Sequence, residues 1–155
     1  TYMMWPSSFM IRASARPPRG YDPRLRYTSE WLFDVETFRA GPMVPINDVL
    51  GRYRRHAGNV TSDTVARSST LEEALMATGM ATARWPDLAR PARHRRAALM
   101  ISRALELGRA GELRAAWPFV RAALVEGGAF GTARIVLAHA REILGRRRAG
   151  LRVPE

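Results

Sequence analysis

Apolar positions along this chain follow two different periods. Up to about residue 62 they come in short runs. Phe9-Met10-Ile11 suits a buried strand, and Met43 to Ile46 is a second short strand candidate. Val49, Gly51, Tyr53 and Arg55 alternate with Leu50, Arg52, Arg54 and His56, the period of an extended segment. Between these runs, Ala15-Arg16-Pro17-Pro18-Arg19-Gly20 and Tyr21-Asp22-Pro23 read as loop and turn. From Ser29 to Ala40 the spacing becomes helical, with Trp31, Leu32, Val35 and Phe38 recurring, Ser29 as N-cap and Gly41-Pro42 as a stop. Glu30 falls in the first turn, where the helix dipole favours a carboxylate.

After about Ser62–Ser69 the pattern is helical throughout. Thr70-Leu71-Glu72-Glu73 has the offset of a capping box and predicts a helix to about Ala83. A second helix is predicted from about Ala92 to Leu107, with Ala97, Met100, Ile101 and Ala104 on one face. Gly108 and Gly111 bracket a turn. A third helix carries Leu113, Trp117, Val120 and Leu124, and Pro118 either kinks it or starts a shorter one. Gly127-Gly128 and Gly131 make the next break. A fourth helix places Ala133, Val136, Leu137, Ala140 and Leu144 together. One hairpin here has the length of a tetratricopeptide repeat; an array needs three or more, so an appended bundle is expected.

Composition narrows the function classes. The 155 residues carry 46% hydrophobic and 25% charged positions, as in a globular domain. No apolar run has the roughly 20 residues of a membrane span. Cysteine is absent, which excludes disulfides, thiolate metal sites and a cysteine nucleophile. Net charge is +11, and all 25 basic residues are Arg. The excess is +3 before residue 64 and +8 after it. The Arg residues are scattered and no nucleic-acid-binding signature accompanies them, so nucleic acid is an unfavoured partner. Arg146-Arg147-Arg148 reads as cations at a helix C-terminus, with contact to anionic lipid as the alternative. The chain opens on Thr1 with no visible signal peptide, so a piece of a longer chain is expected.

No phosphate loop, paired-His zinc motif or nucleophile elbow occurs. His94 and His139 sit among Arg and Ala and read as structural or surface residues. His56 ends the polar string Arg52-Tyr53-Arg54-Arg55-His56. Four pieces then occur in order: Ser7-Ser8-Phe9-Met10-Ile11-Arg12, Gly20-Tyr21-Asp22-Pro23-Arg24-Leu25, Ser29-Glu30-Trp31-Leu32, and Val49 to Thr61 with its Tyr-Arg-x-His segment. Over about residues 5–62 this resembles the C-terminal part of a bacterial family 2 glycosyltransferase with the GT-A fold. The resemblance implies an α/β fold class: an incomplete GT-A domain over residues 1–62, followed over 63–155 by an all-α helical-hairpin extension, helix-dominated overall.

The resemblance also implies an inverting sugar transfer from a nucleotide-sugar donor to a glycan or lipid-linked acceptor, in the cytoplasm or at the inner face of a membrane. In the family the acid before Trp is the base, which places that role on Glu30; by spacing alone Glu30 is a first-turn helix charge. The family more often has Asp there, preceded by a second acid, whereas this chain has Ser29-Glu30. Trp31 is implied at the acceptor site, as a packing residue beneath it or as a sugar-stacking platform. His56 is implied as a ligand of a divalent metal (Mn2+ or Mg2+) in the full-length enzyme, against the alternative of a loop-holding histidine. Arg54 and Arg55 are implied as phosphate contacts, but in an extended segment only one can face it. Asn59-Val60-Thr61 fits a glycosylation acceptor pattern that carries no meaning in a bacterial cytosolic enzyme. The family's Asp-x-Asp motif occurs nowhere in the chain. The implied site therefore lacks its donor half, and these residues alone are expected to be inactive. The alternatives from other classes are a non-catalytic helical interaction module and a basic nucleic-acid-binding protein.

Overall fold

The computed structural model describes residues 10–44, 46, 48 and 64–148, with side chains described over all of these except 64–69 and 142–148. Among the described residues there are four α-helices: α1 (Ser29–Arg39), α2 (Thr64–Arg84), α3 (Ala89–Arg109) and α4 (Leu113–Arg148). Short 3-10 turns lie at Ala13–Ala15 and Pro86–Leu88. The chain divides after Ala81, within α2, into two compact units.

The described residues do not form the expected α/β portion. Among the described residues there is no strand. Met10, placed by its neighbours in a buried strand, is 95% exposed, and Met43, Val44 and Ile46 are exposed and irregular. A short apolar run becomes a strand only when a neighbouring strand accepts and donates its backbone hydrogen bonds. No described residue supplies that partner. The segment from Val49 to His56 lies outside the described residues.

In the first unit, α1 forms where its pattern predicts, one residue shorter than expected at its end. Its N-cap is Thr28 rather than Ser29, and the Thr28 side chain makes no capping bond. The cap comes from a distance. Glu73 Oε2 accepts the backbone N–H groups of Tyr27 at 2.6 Å and Thr28 at 3.3 Å. This corrects the capping-box reading of Thr70–Glu73: α2 starts at Thr64, so Glu73 lies inside the helix and its carboxylate serves the entry to α1. A negative charge there also complements the α1 dipole. Glu73→Ala is expected to cost about 1–2 kcal/mol, since two half-buried donors lose their acceptor. Amide hydrogen exchange checks it: protection at Tyr27 and Thr28 should fall.

In the same unit, α2 buries Ala74, Ala77, Thr78 and Ala81, a stripe of small residues at helical spacing. The hydroxyl of Thr78 donates to the carbonyl of Ala74, and that of Thr37 to Phe33, so neither buried oxygen lacks a partner.

The second unit is α3 packed on α4. Its core holds Ala97, Ile101, Ala123 and Ile135, extended by Ala104, Leu107 and Ala116. The buried face of α3 is the predicted one. It ends on a glycine stop: Gly111 has φ 80, and Glu112 N–H reaches Leu107 O at 2.9 Å. Helix α4 runs through Pro118 and bends at Gly128, with φ 67 and ψ 171, so the predicted third and fourth helices become its two arms. Arg93 and Arg96 of α3 grip the bend. Arg96 holds the Glu126 carboxylate through two bonds of 2.9 Å, and Arg93 donates to the carbonyls of Glu126 and Val125. Across the bend, Thr132 Oγ1 donates to Ala123 O at 3.0 Å.

Candidate functional site

The two resembling pieces Gly20–Leu25 and Ser29–Leu32 form one short substructure. Gly20 takes φ 63, a left-handed turn that suits glycine. Asp22 then closes the next turn. Its carboxylate accepts the backbone N–H of Arg24 at 3.0 Å and the Arg24 guanidinium at 3.0 and 2.8 Å, which holds the carboxyl down to about 2. Leu25 is buried and anchors the turn, and Tyr21 stacks on Phe33 of α1 at 4.7 Å between centroids. The chain reaches α1 through the Glu73 cap, and Glu30 and Trp31 follow at once.

Glu30 is half-buried in the first turn of α1. Trp31 beside it is also half-buried, and its N–H bonds Thr28 O at 3.1 Å. One turn on, Asp34 shares the Glu30 face. Its Oδ1 is buried with no hydrogen-bond partner among the described residues. Burial first, and the Glu30 charge second, push the Asp34 carboxyl up to about 6. Asp34 was not singled out by sequence reading, although its four-residue offset from Glu30 was available as a signal.

The pair has a consequence for stability. Asp34 is tolerated neutral and penalised when ionised, so its contribution is fully present below about 3.8 and lost as pH rises through about 6. A fully buried carboxyl shifted this far would matter by about 3 kcal/mol; solvent screening of a partly exposed one leaves roughly 1 kcal/mol. Asp34→Asn is therefore expected to raise stability at pH 7 by about 1 kcal/mol and to flatten its pH dependence between about 4 and 6. Urea midpoints across that pH range check it.

Arg54, Arg55 and His56 lie outside the described residues. The other histidines behave as read. His94 is exposed, and His139 bridges α3 to the second arm of α4, with Nδ1 donating to Ile135 O at 3.0 Å and Nε2 accepting from Ser102 Oγ at 3.1 Å. Among the described residues no three His, Cys, Asp or Glu side chains converge, so those residues do not by themselves hold a divalent cation. Among them too, no helix is long and apolar enough to cross a membrane. Comparison with protein-family models, curated proteins and solved structures returned no match.

Proposed function

We propose that this chain supplies the acceptor side of an inverting, nucleotide-sugar-dependent glycosyltransferase acting on a glycan or lipid-linked acceptor at the cytoplasmic face of a membrane or in the cytoplasm. The observation that carries it is the half-buried Glu30 in the first turn of α1 beside Trp31, in the sequence order of the resembling segments. Glu30 takes the proton of the acceptor hydroxyl as that oxygen attacks the anomeric carbon. The bond from that carbon to the diphosphate oxygen breaks, its electron pair leaves with the nucleoside diphosphate, and configuration inverts. Asp34, one turn on, holds its proton up to about pH 6 and so keeps a second negative charge away from the base below that pH. Trp31 shapes the acceptor floor. The donor-binding half, with its Asp-x-Asp, belongs to another segment of polypeptide.

The test has two parts. Isothermal titration of this chain with UDP, GDP and dTDP plus manganese should show no tight binding; tight binding would overturn its acceptor-side role. Extending the reading frame upstream and assaying nucleotide release from a panel of nucleotide-sugars should reveal one donor. A longer chain without Asp-x-Asp, or without release, would favour the helical interaction module, a reading supported by the exposed apolar side chains of α4.

A further inference from the structure

Of the apolar stripes predicted on α4, Val120 packs on the core, but most of the described members lie outside the buried face. The core takes Ala116, Ala123 and Ile135, while Leu113 is 72% exposed, Trp117 59%, and Leu124, Val136 and Leu137 are exposed as well. Leu113, Trp117 and Leu124 recur at steps of four and seven, so they form one ridge along the first arm. Beside this ridge lies an open groove of about 580 Å³ between α3 and α4, walled by Leu105, Val120 and Val136 and carrying Arg109.

The cations of this unit fall into two groups. Arg93 and Arg96 are held by Glu126, and Arg103 by Glu106. Arg109, Arg114 and Arg121 make no ion pair with any described residue. Arg109 lines the groove, Arg114 and Arg121 follow Leu113 and Trp117 by one and four residues along α4, and the charge of all three is available to an external anion. Glu112, at the start of the ridge, offsets one of them. From residue 82 onward the chain has fifteen Arg against six acids, a net +9.

We propose that this ridge and groove dock on an anionic lipid bilayer, lying in the interface without crossing it. The chemistry fits on both counts. Leu113 and Trp117 enter the acyl boundary, where an indole is favoured, and Arg109, Arg114 and Arg121 reach back to phosphate headgroups along their aliphatic stems. Further along α4, Val125 and Phe130 are exposed as well. Charge complementarity decides the lipid class, because Arg109, Arg114 and Arg121 beside the ridge, against the single acid Glu112, favour an anionic over a neutral membrane.

Vesicle co-sedimentation of the full 155-residue chain tests this independently of sugar transfer. Vesicles with one-third phosphatidylglycerol should bind the chain and pure phosphatidylcholine should not, and added salt should weaken binding. The double variant Leu113→Ser, Trp117→Ser should lose about tenfold or more in partition, since two large apolar side chains leave the lipid. Each of Arg114→Ser and Arg121→Ser should lose about fivefold, as expected for one cation near an anionic surface. Circular dichroism unchanged from wild type confirms that the variants fold; should the double variant unfold, the arginine variants decide. Three results would overturn the proposal: equal binding to neutral vesicles, undiminished binding by folded ridge variants, or binding only to an acidic amphipathic helix or to monomeric palmitate.

Discussion

Under the proposed sugar transfer, Glu30→Gln in a chain extended to carry a donor half is expected to cut transfer by about 10²–10⁴-fold while leaving the fold in place. The amide keeps the shape of the carboxylate and cannot take a proton. Because Glu30 is half-exposed and its side chain is not part of the buried core, folding loses little. The lost favourable charge at the start of α1 is worth about 0.3–1 kcal/mol. Removing a like charge one turn from Asp34 offsets part of that. The same substitution should lower the Asp34 carboxyl, because the Glu30 charge is one of the two causes that raise it. Transfer rates with a saturating acceptor, alongside NMR titration of Asp34, check both outcomes. Glu30→Asp should retain activity, since the shorter acid still accepts a proton. Full activity in the Gln variant would assign Glu30 to helix capping alone and remove the base from the mechanism.

The largest expected loss of stability follows Gly128→Val. At φ 67 and ψ 171 the backbone occupies a region that is essentially closed to side-chain-bearing residues, at a cost of about 1–3 kcal/mol. A β-branched residue falls at the upper end of that range. Space is not the cause, because a Cβ at Gly128 would meet nothing within 4 Å. The neighbouring glycine is constrained differently: a Cβ at Gly127 would lie 3.1 Å from Ala97 Cβ and 3.3 Å from Thr132 Oγ1. Gly127→Ala therefore tests close packing, and Gly128→Ala tests backbone conformation. Gly131, with open space and a helical backbone, is the control; Gly131→Ala should stabilise by about 0.5–1 kcal/mol. Urea unfolding of the four variants should make Gly128→Val the least stable and Gly131→Ala the most stable.

Both predictions use residues that the sequence marks, yet in each case a neighbour sets the effect. The pattern around Glu30 announces a helix start and an acid in its first turn. It does not announce that Asp34 is buried enough to hold its proton up to about pH 6, which depends on how the chain folds over that side chain. Likewise Gly127-Gly128 announces a break between helices. Which glycine faces Ala97 and which turns the chain is decided only when the second arm of α4 returns against α3.

Local signals alone therefore placed α1, the buried face of α3, and the glycine breaks that follow α3 and divide α4. Capping, helical spacing and the free φ of glycine act within a few residues, so they survive without tertiary information. Other features required a partner far along the chain. The apolar runs at Phe9–Ile11 and Met43–Ile46 read as strands because a run carries no record of whether another strand will pair with it. Glu73 read as one half of a local capping box, whereas a carboxylate inside a helix can serve any N–H brought to it, here those of Tyr27 and Thr28. On α4 the period identified an apolar ridge, but period fixes only which side chains share a face. Packing against α3 selected the small side chains Ala116 and Ala123 for the core, because they permit close approach, and left Leu113 and Trp117 facing outward.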